Sequence, residues 1–281
     1  MKDELTIGLD GGSRLAILAV DCTSAAAELA RAHLSGPAAS VYLAQALAGA
    51  ALLGAETSLP DETVTFRLDC PGPLEGFLAE CTEKGTLRGY TKKKILDDLD
   101  VERFKDADAI GASAHVEVIR SVPGKVLSSG AADVSFGASG AVATAMETYF
   151  SQSLQRRARF AFFSSAGEDG IAVAARGLMV ECPPDGDEDA FRRVSALFES
   201  GAAAKAIAGA TCSFRTLLRK LDLALAEVRS TRPLSFACRC SRERAQAMLD
   251  AMPAADREGL PAKVDVTCHL CGRTWTVDNG G

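Results

Sequence analysis

Four of the nine cysteines in this 281-residue chain stand near its end, as Cys238-Arg-Cys240 and Cys268-His-Leu-Cys271, with 27 residues between the pairs. Four thiolates about 2.3 Å from one ion, converging from two chain segments, are what a closed tetrahedral zinc site requires. Cys238 and Cys240 are two apart, so in an extended segment both side chains leave from one face. Cys268 and Cys271 are three apart with Gly272 behind them, a tight-turn spacing that lets both sulfurs grip one metal. The expectation is one Zn2+ per chain, held in the reduced form by Cys238, Cys240, Cys268 and Cys271. Four reduced, buried structural thiols would be the plainer alternative. His269 is expected to face solvent, because four cysteines already complete the shell.

The other cysteines, Cys22, Cys70, Cys81, Cys182 and Cys212, have no ligand spacing and read as core or semi-exposed thiols. His33 and His115 are isolated, and the Lys92-Lys93-Lys94 run beside Asp97 reads as a solvated strand end. An odd number of cysteines, and a start (Met1-Lys-Asp-Glu-Leu-Thr) without a basic region followed by an apolar run, argue against a disulfide framework. A cytoplasmic location is therefore expected. No uninterrupted apolar stretch approaches the roughly 20 residues of a membrane span, so no membrane role is expected. A net charge of −6 lacks the basic excess of nucleic-acid binders.

These cysteines need elements to hold them. Residues 14–20 read as a buried strand, and Thr23 or Ser24 can cap an Ala-rich helix reaching Leu34. Pro37 suits a first helical position, and Val41, Tyr42, Leu43, Leu47, Leu52 and Leu53 populate a core helix ending near Gly54. Strands are expected at 63–69, 74–81 and 87–90 as a meander, with a second hairpin turning at Pro123-Gly124-Lys125. A helix from about Ser139 to Leu154 and strands near 159–164 and 170–182 complete an α+β core of antiparallel sheets packed by helices, over residues 1–182.

At Pro183-Pro184-Asp-Gly-Asp-Glu-Asp the composition shifts as at a domain boundary. Phe191, Val194, Leu197 and Phe198 recur at helical spacing, as do Phe214, Leu217, Leu218, Leu221 and Leu225. Short helices are marginal alone, so residues 183–232 are expected to form a helical, conditionally stable linker whose helices, if they depend on the terminal domain for docking, would expose their apolar stripes when that domain unfolds. That domain, residues 233–281, is shorter than 50 residues, a size at which metal usually supplies the stability a small core cannot. Within it Ser241 can cap a helix carrying Ala245, Met248, Leu249 and Met252. Val264-Asp-Val-Thr and Thr274-Trp-Thr-Val should pair as a hairpin, and Trp275 is expected to cover the site.

Phe236-x-Cys238-x-Cys240-Ser-Arg-Glu-Arg244 followed by Val264-x-Val266-x-Cys268-x-x-Cys271 resembles the heat shock protein 33 family of redox-regulated bacterial holdases. Ala50-Ala-Leu-Leu-Gly-Ala, Gly72-Pro73-Leu74, Leu87-Arg88-Gly89-Tyr90 and Tyr149-Phe150 resemble it too, whereas Ser153-Leu-Gln-Arg-Arg-Ala departs from the family pattern. The resemblance implies a non-enzymatic, ATP-independent chaperone, inactive when reduced and zinc-bound. It further implies activation through the disulfides Cys238-Cys240 and Cys268-Cys271, unfolding client proteins as partners, and a homodimer when oxidised.

Other readings are weaker. A four-cysteine zinc ribbon for nucleic acid is disfavoured because residues 233–281 carry six Lys/Arg and six Asp/Glu. Ile7-Gly-Leu-Asp10-Gly-Gly-Ser13 is similar to the first phosphate turn of actin-like sugar kinases, but no second phosphate loop accompanies it. Cys268-x-x-Cys271 lacks the strand-to-helix context of a thioredoxin-like oxidoreductase.

Overall fold

The computed structural model describes residues 3–96, 98–100, 105–137, 140–209, 214–223 and 226–279. Asp97, Ser139, Cys212 and Leu225 thus lie outside the described residues. The chain opens with a hairpin of β1 (Glu4–Asp10) and β2 (Ala16–Asp21), followed by helices α1 (Thr23–His33) and α2 (Pro37–Leu53). The glycine-rich stretch is the hairpin turn: the Asp10 carboxylate accepts from Ser13 N at 2.8 Å and Ser13 Oγ at 2.7 Å. The first strand, β1, is not among the expected elements, although Leu5, Ile7 and Leu9 alternate with Glu4, Thr6, Gly8 and Asp10 as in a half-buried strand. Nor do Thr23 and Ser24 cap α1. The Asp3 carboxylate does, accepting from Ser24 N (3.0 Å) and Ala25 N (2.7 Å), while Thr23 Oγ1 turns to Asp21. A carboxylate is the stronger acceptor at the positive end of a helix, even when it comes from another segment.

Next come β3 (Thr63–Asp69), β4 (Gly76–Thr82) and β5 (Thr86–Thr91), the short α3 (Asp106–Ala109), the long hairpin β6 (Ser113–Val122) and β7 (Lys125–Ser135), then α4 (Ala141–Gln152), β8 (Arg157–Ala166) and β9 (Ala172–Cys182). Two antiparallel sheets result, one including β2, β9 and β8, the other ordered β5-β4-β3-β6-β7. Helix α2 touches strands of both sheets and is buried nearly all round, as a helix apolar on every side must be. Gly49 permits the approach, since a Cβ there would meet the Phe66 ring at 2.8 Å. Pro37–Glu56 is by length and composition apolar enough to cross a bilayer, but 78% of its most apolar window is buried inside the protein, as expected of a core helix.

The segment after Pro183 forms α5 (Glu188–Glu199), α6 (Ala202–Ala208) and α7 (Phe214–Lys220). Its last stretch is a strand, however: β10 (Ala226–Pro233) pairs antiparallel with β1 and completes a five-stranded sheet. Both faces of β10 are largely exposed, so no apolar periodicity announced it. The docking condition is answered as well. Val194, Ile207, Leu217 and Leu218 pack on Leu15, Ile17, Leu178 and Val180, the outer face of the β2-β9-β8 sheet, rather than on the terminal domain. That sheet was already there to be covered, with apolar side chains on both faces.

Beyond it, β11 (Ser235–Phe236) lies parallel to β5, and α8 (Arg242–Asp250), α9 (Ala254–Arg257), β12 (Lys263–Thr267) and β13 (Thr274–Asp278) form the terminal module. Its own core holds only Ala245, Leu249 and Val277 fully buried among the described residues. Of the apolar residues expected on α8, Ala245 and Leu249 are buried, Met248 is 67% exposed, and Met252, 39% exposed, lies beyond its end. The module is too small to cover the two methionines.

Candidate metal centre

Each cysteine pair is held by a local device. Cys238 and Cys240 follow β11 in a short segment without regular secondary structure, and Ser241 ends it by capping α8, its Oγ accepting from Arg244 N at 3.3 Å. The second pair sits on the turn joining β12 to β13. Cys268 N donates to Arg273 O (2.9 Å), while Cys271 N and Gly272 N both donate to Cys268 O, at 3.3 and 2.8 Å. Gly272 closes the turn with φ +70°, a left-handed conformation that glycine adopts without penalty.

The two devices bring all four Sγ atoms within 4.8 Å of one another. Cys238 Sγ lies 3.8 Å from Cys268 Sγ, and Cys240 Sγ 3.4 Å from Cys271 Sγ. Sulfurs around a tetrahedral ion at about 2.3 Å would stand about 3.8 Å apart, so this donor set fits zinc in number, chemistry and spacing. Three of the cysteines are partly buried and Cys271 is 2% exposed.

The sulfurs are not equivalent. Burial pushes the Cys238 thiol up, but the Cys240 amide, the Arg88 guanidinium and neighbouring thiols outweigh it and bring Cys238 down to about 7. Burial raises Cys268 above the ordinary thiol range despite the Leu270 amide. It raises Cys271 further, where hydrogen bonds to Cys240, Cys238 and Cys268 favour the protonated form. A divalent cation among them would favour all four thiolates.

Around the centre, Trp275 packs on the module's small core and lines a cleft of about 280 Å³ with Cys238, Cys240, Cys268 and Met248. His269 is exposed, as expected, its ring centroid 6.1 Å from that of Tyr90. Arg88, which the spacing argument had no means to find, donates from Nη1 to Cys238 Sγ at 3.8 Å and pairs with Glu80. The remaining described cysteines are free thiols apart from this cluster. Burial raises Cys22 and Cys182, and raises Cys70 to about 11 and Cys81 to about 12, which suits inert packing thiols.

Comparison with known proteins points one way. The model of the Hsp33 protein family matches residues 3–278. A 33 kDa chaperonin of Symbiobacterium thermophilum is 29% identical, over 98% of this chain and 94% of its own. One of Thermus thermophilus is 31% identical, over 95% and 82%. The crystal structure of the 33 kDa chaperonin (heat shock protein 33 homolog) of Thermotoga maritima superposes with a TM-score of 0.81 at 21% identity, covering 99% of this chain and 96% of that one, and so shares the fold.

Proposed function

This chain belongs to the Hsp33 protein family, and from that premise we propose that it is a redox-regulated holdase of the cytoplasm. It would bind unfolding proteins without ATP and without catalysing a reaction, and would be inactive while reduced and zinc-bound. The observation that carries this reading is the convergence of four sulfurs within 4.8 Å on a module whose own core is three small or medium side chains. Cys238, Cys240, Cys268 and Cys271 would hold the ion, which supplies the module's stability: structural zinc contributes about 10 to 16 kcal/mol, against roughly 1.5 to 3 kcal/mol for a fully buried large apolar side chain.

The ligands are also oxidisable thiolates. Four thiolates, two molecules of hydrogen peroxide and four protons give two disulfides and four waters, leaving no ligand for the metal. Cys238-Cys240 and Cys268-Cys271 are the proposed disulfides. The nearest sulfurs in the folded module belong to opposite pairs, so these bonds would close as the two segments part.

Release would then travel along the chain. Cys238 follows β11, and β11 follows β10 almost directly. Loss of the module would free both strands, then α7, α6 and α5, uncovering Leu15, Ile17, Leu178 and Val180. An apolar face of that kind binds the apolar surfaces of unfolding proteins, and would also support dimerisation of the oxidised form. The test compares reduced, zinc-loaded protein with protein treated with peroxide and mild heat, in an assay of client aggregation. Suppression by the oxidised form alone is expected; equal suppression by both would sink the switch.

A further inference from the structure

The motif Leu87-Arg88-Gly89-Tyr90 lies on core strand β5, far in sequence from the cysteines, yet all four of its residues touch residues 235–272. The outer edge of β5 is occupied along its length. Gly85 O accepts from Ser235 N at 3.1 Å, Leu87 O accepts from Ala237 N at 3.2 Å, and Gly89 N donates to Leu270 O at 3.1 Å. The first two partners lead into Cys238, and the third lies between Cys268 and Cys271. One strand edge thus engages both cysteine segments through backbone groups, which a sheet edge offers at every second residue.

Side chains reinforce this edge. Arg88 is 15% exposed, is clamped by Glu80 (also 15% exposed), and points Nη1 at Cys238 Sγ. The Tyr90 ring faces His269. Behind Gly89, His33 Nε2 lies 2.8 Å from Gly89 O, so the end of α1 backs the strip. Gly272 seats on the same helix end: a Cβ there would stand 2.2 Å from Ala32 O.

We infer that Arg88, Gly89 and Tyr90 form a docking strip that holds the four-cysteine module against the core, and that Arg88 is the positioning residue through which the core restrains Cys238. The strip rests on the zinc-module reading but not on chaperone activity. In the zinc-loaded protein all four sulfurs would already be thiolates, so the Arg88 guanidinium does not add thiolate there; by donating to Cys238 Sγ it engages a lone pair and holds the sulfur against β5, and Cys238 reacts more slowly with electrophiles than its exposure alone would allow. Glu80 fixes the guanidinium, and its loss would leave a poorly solvated charge.

The experiment uses the full-length, reduced, zinc-loaded protein, with zinc stoichiometry measured first. Because removing one partner of the Arg88-Glu80 pair risks the fold, the variant is the double replacement Arg88→Met with Glu80→Gln, accompanied by Arg88→Lys. Amide exchange is followed at 235–240 and 268–272, with 63–69 reporting on the core. Iodoacetamide is the chemical probe; each sulfur forms an S–C bond as iodide leaves, and the four sites are resolved by mass spectrometry. The double variant is expected to exchange about tenfold faster at 235–240 and 268–272 with 63–69 unchanged, and to show Cys238 alkylation raised more than that of Cys271. Arg88→Lys should restore part of both effects. Unchanged exchange in the module, or alkylation rising equally at all four cysteines, would overturn the assignment. A protein that holds zinc but does not suppress aggregation when oxidised would refute the chaperone reading and leave the strip standing.

Discussion

The guanidinium of Arg176 closes the C-terminal end of helix α6 over Ala208: its Nη1 lies 3.0 Å from Ala208 O and 3.1 Å from both Ile207 O and Gly209 O. Asp21 holds the same side chain from the other side, accepting from Nε at 2.9 Å, with the two side chains 11% and 20% exposed. One core residue on β9 thereby satisfies the orphan carbonyls of a helix that has only seven residues.

Arg176→Ala should therefore loosen the linker before it loosens the core. The expected loss is about 2 to 3 kcal/mol, for a C-terminal cap together with a half-buried charge pair. Amide exchange at 202–209 should accelerate while 63–69 keeps its protection. Equal acceleration in both segments would mean that Arg176 supports the whole fold instead.

Replacing Cys268 by Ser is expected to lower zinc occupancy well below one per chain and to shift Trp275 fluorescence toward that of a solvated indole. Exchange should rise first at 226–236, the strands joined directly to Cys238, and later at 188–208, whose helices are fastened to the sheet. The reverse order would refute transmission along β10 and β11.

Val194 is 3% exposed, between α5 and the outer face of the sheet. Val194→Asp would bury an unpaired carboxylate there, so α5 should detach at a cost of several kcal/mol. Two ion pairs, Arg157 with Glu188 and Arg159 with Glu199, tie the ends of α5 to β8. They are mostly exposed and worth at most about 1 kcal/mol each, too little to hold it. If the face beneath binds clients, reduced Val194→Asp protein should suppress aggregation without oxidant. A folded, linker-released variant with no suppression would remove this face from the proposal.

Glu62 supplies a pH dependence. Burial pushes its carboxyl up, but the amides of Leu59 and Ser58 and the Arg120 guanidinium outweigh burial and hold it below the usual carboxylate range. A folded-state pKa below the unfolded value stabilises above the unfolded value, and that stabilisation fades as pH falls through the folded one. Stability should thus decline as pH falls below about 4. Glu62→Gln should cost about 2 kcal/mol at pH 7 and flatten this acid limb in denaturant titrations at pH 3 to 7. An unchanged acid limb would assign the decline to other carboxylates.

Sequence reading succeeded where the signal is local. The spacing of Cys238, Cys240, Cys268 and Cys271 announces that four sulfurs converge, because two close pairs on two short segments are enough to bring them together. Ser241 caps α8 as expected, since its target lies three residues away. The all-apolar α2 announced itself as a core helix, and β3 falls on the residues its alternation marked. The α1 cap failed for the opposite reason: Asp3 lies 21 residues from Ser24, and its carboxylate displaced the local candidates.

By itself, then, the sequence determined the α+β class, the cysteine cluster and the helical stripes of the linker. Only the tertiary structure decided what those stripes cover, that 226–233 joins β1 as a strand, and that Arg88 reaches Cys238 across 150 positions. Periodicity tells which side of an element is apolar but not which surface receives it, and an edge strand exposed on both faces has no periodicity to read. For the cysteine cluster this division matters most. Its spacing specifies what it could bind, whereas only the fold fastens both of its segments to the β5 edge.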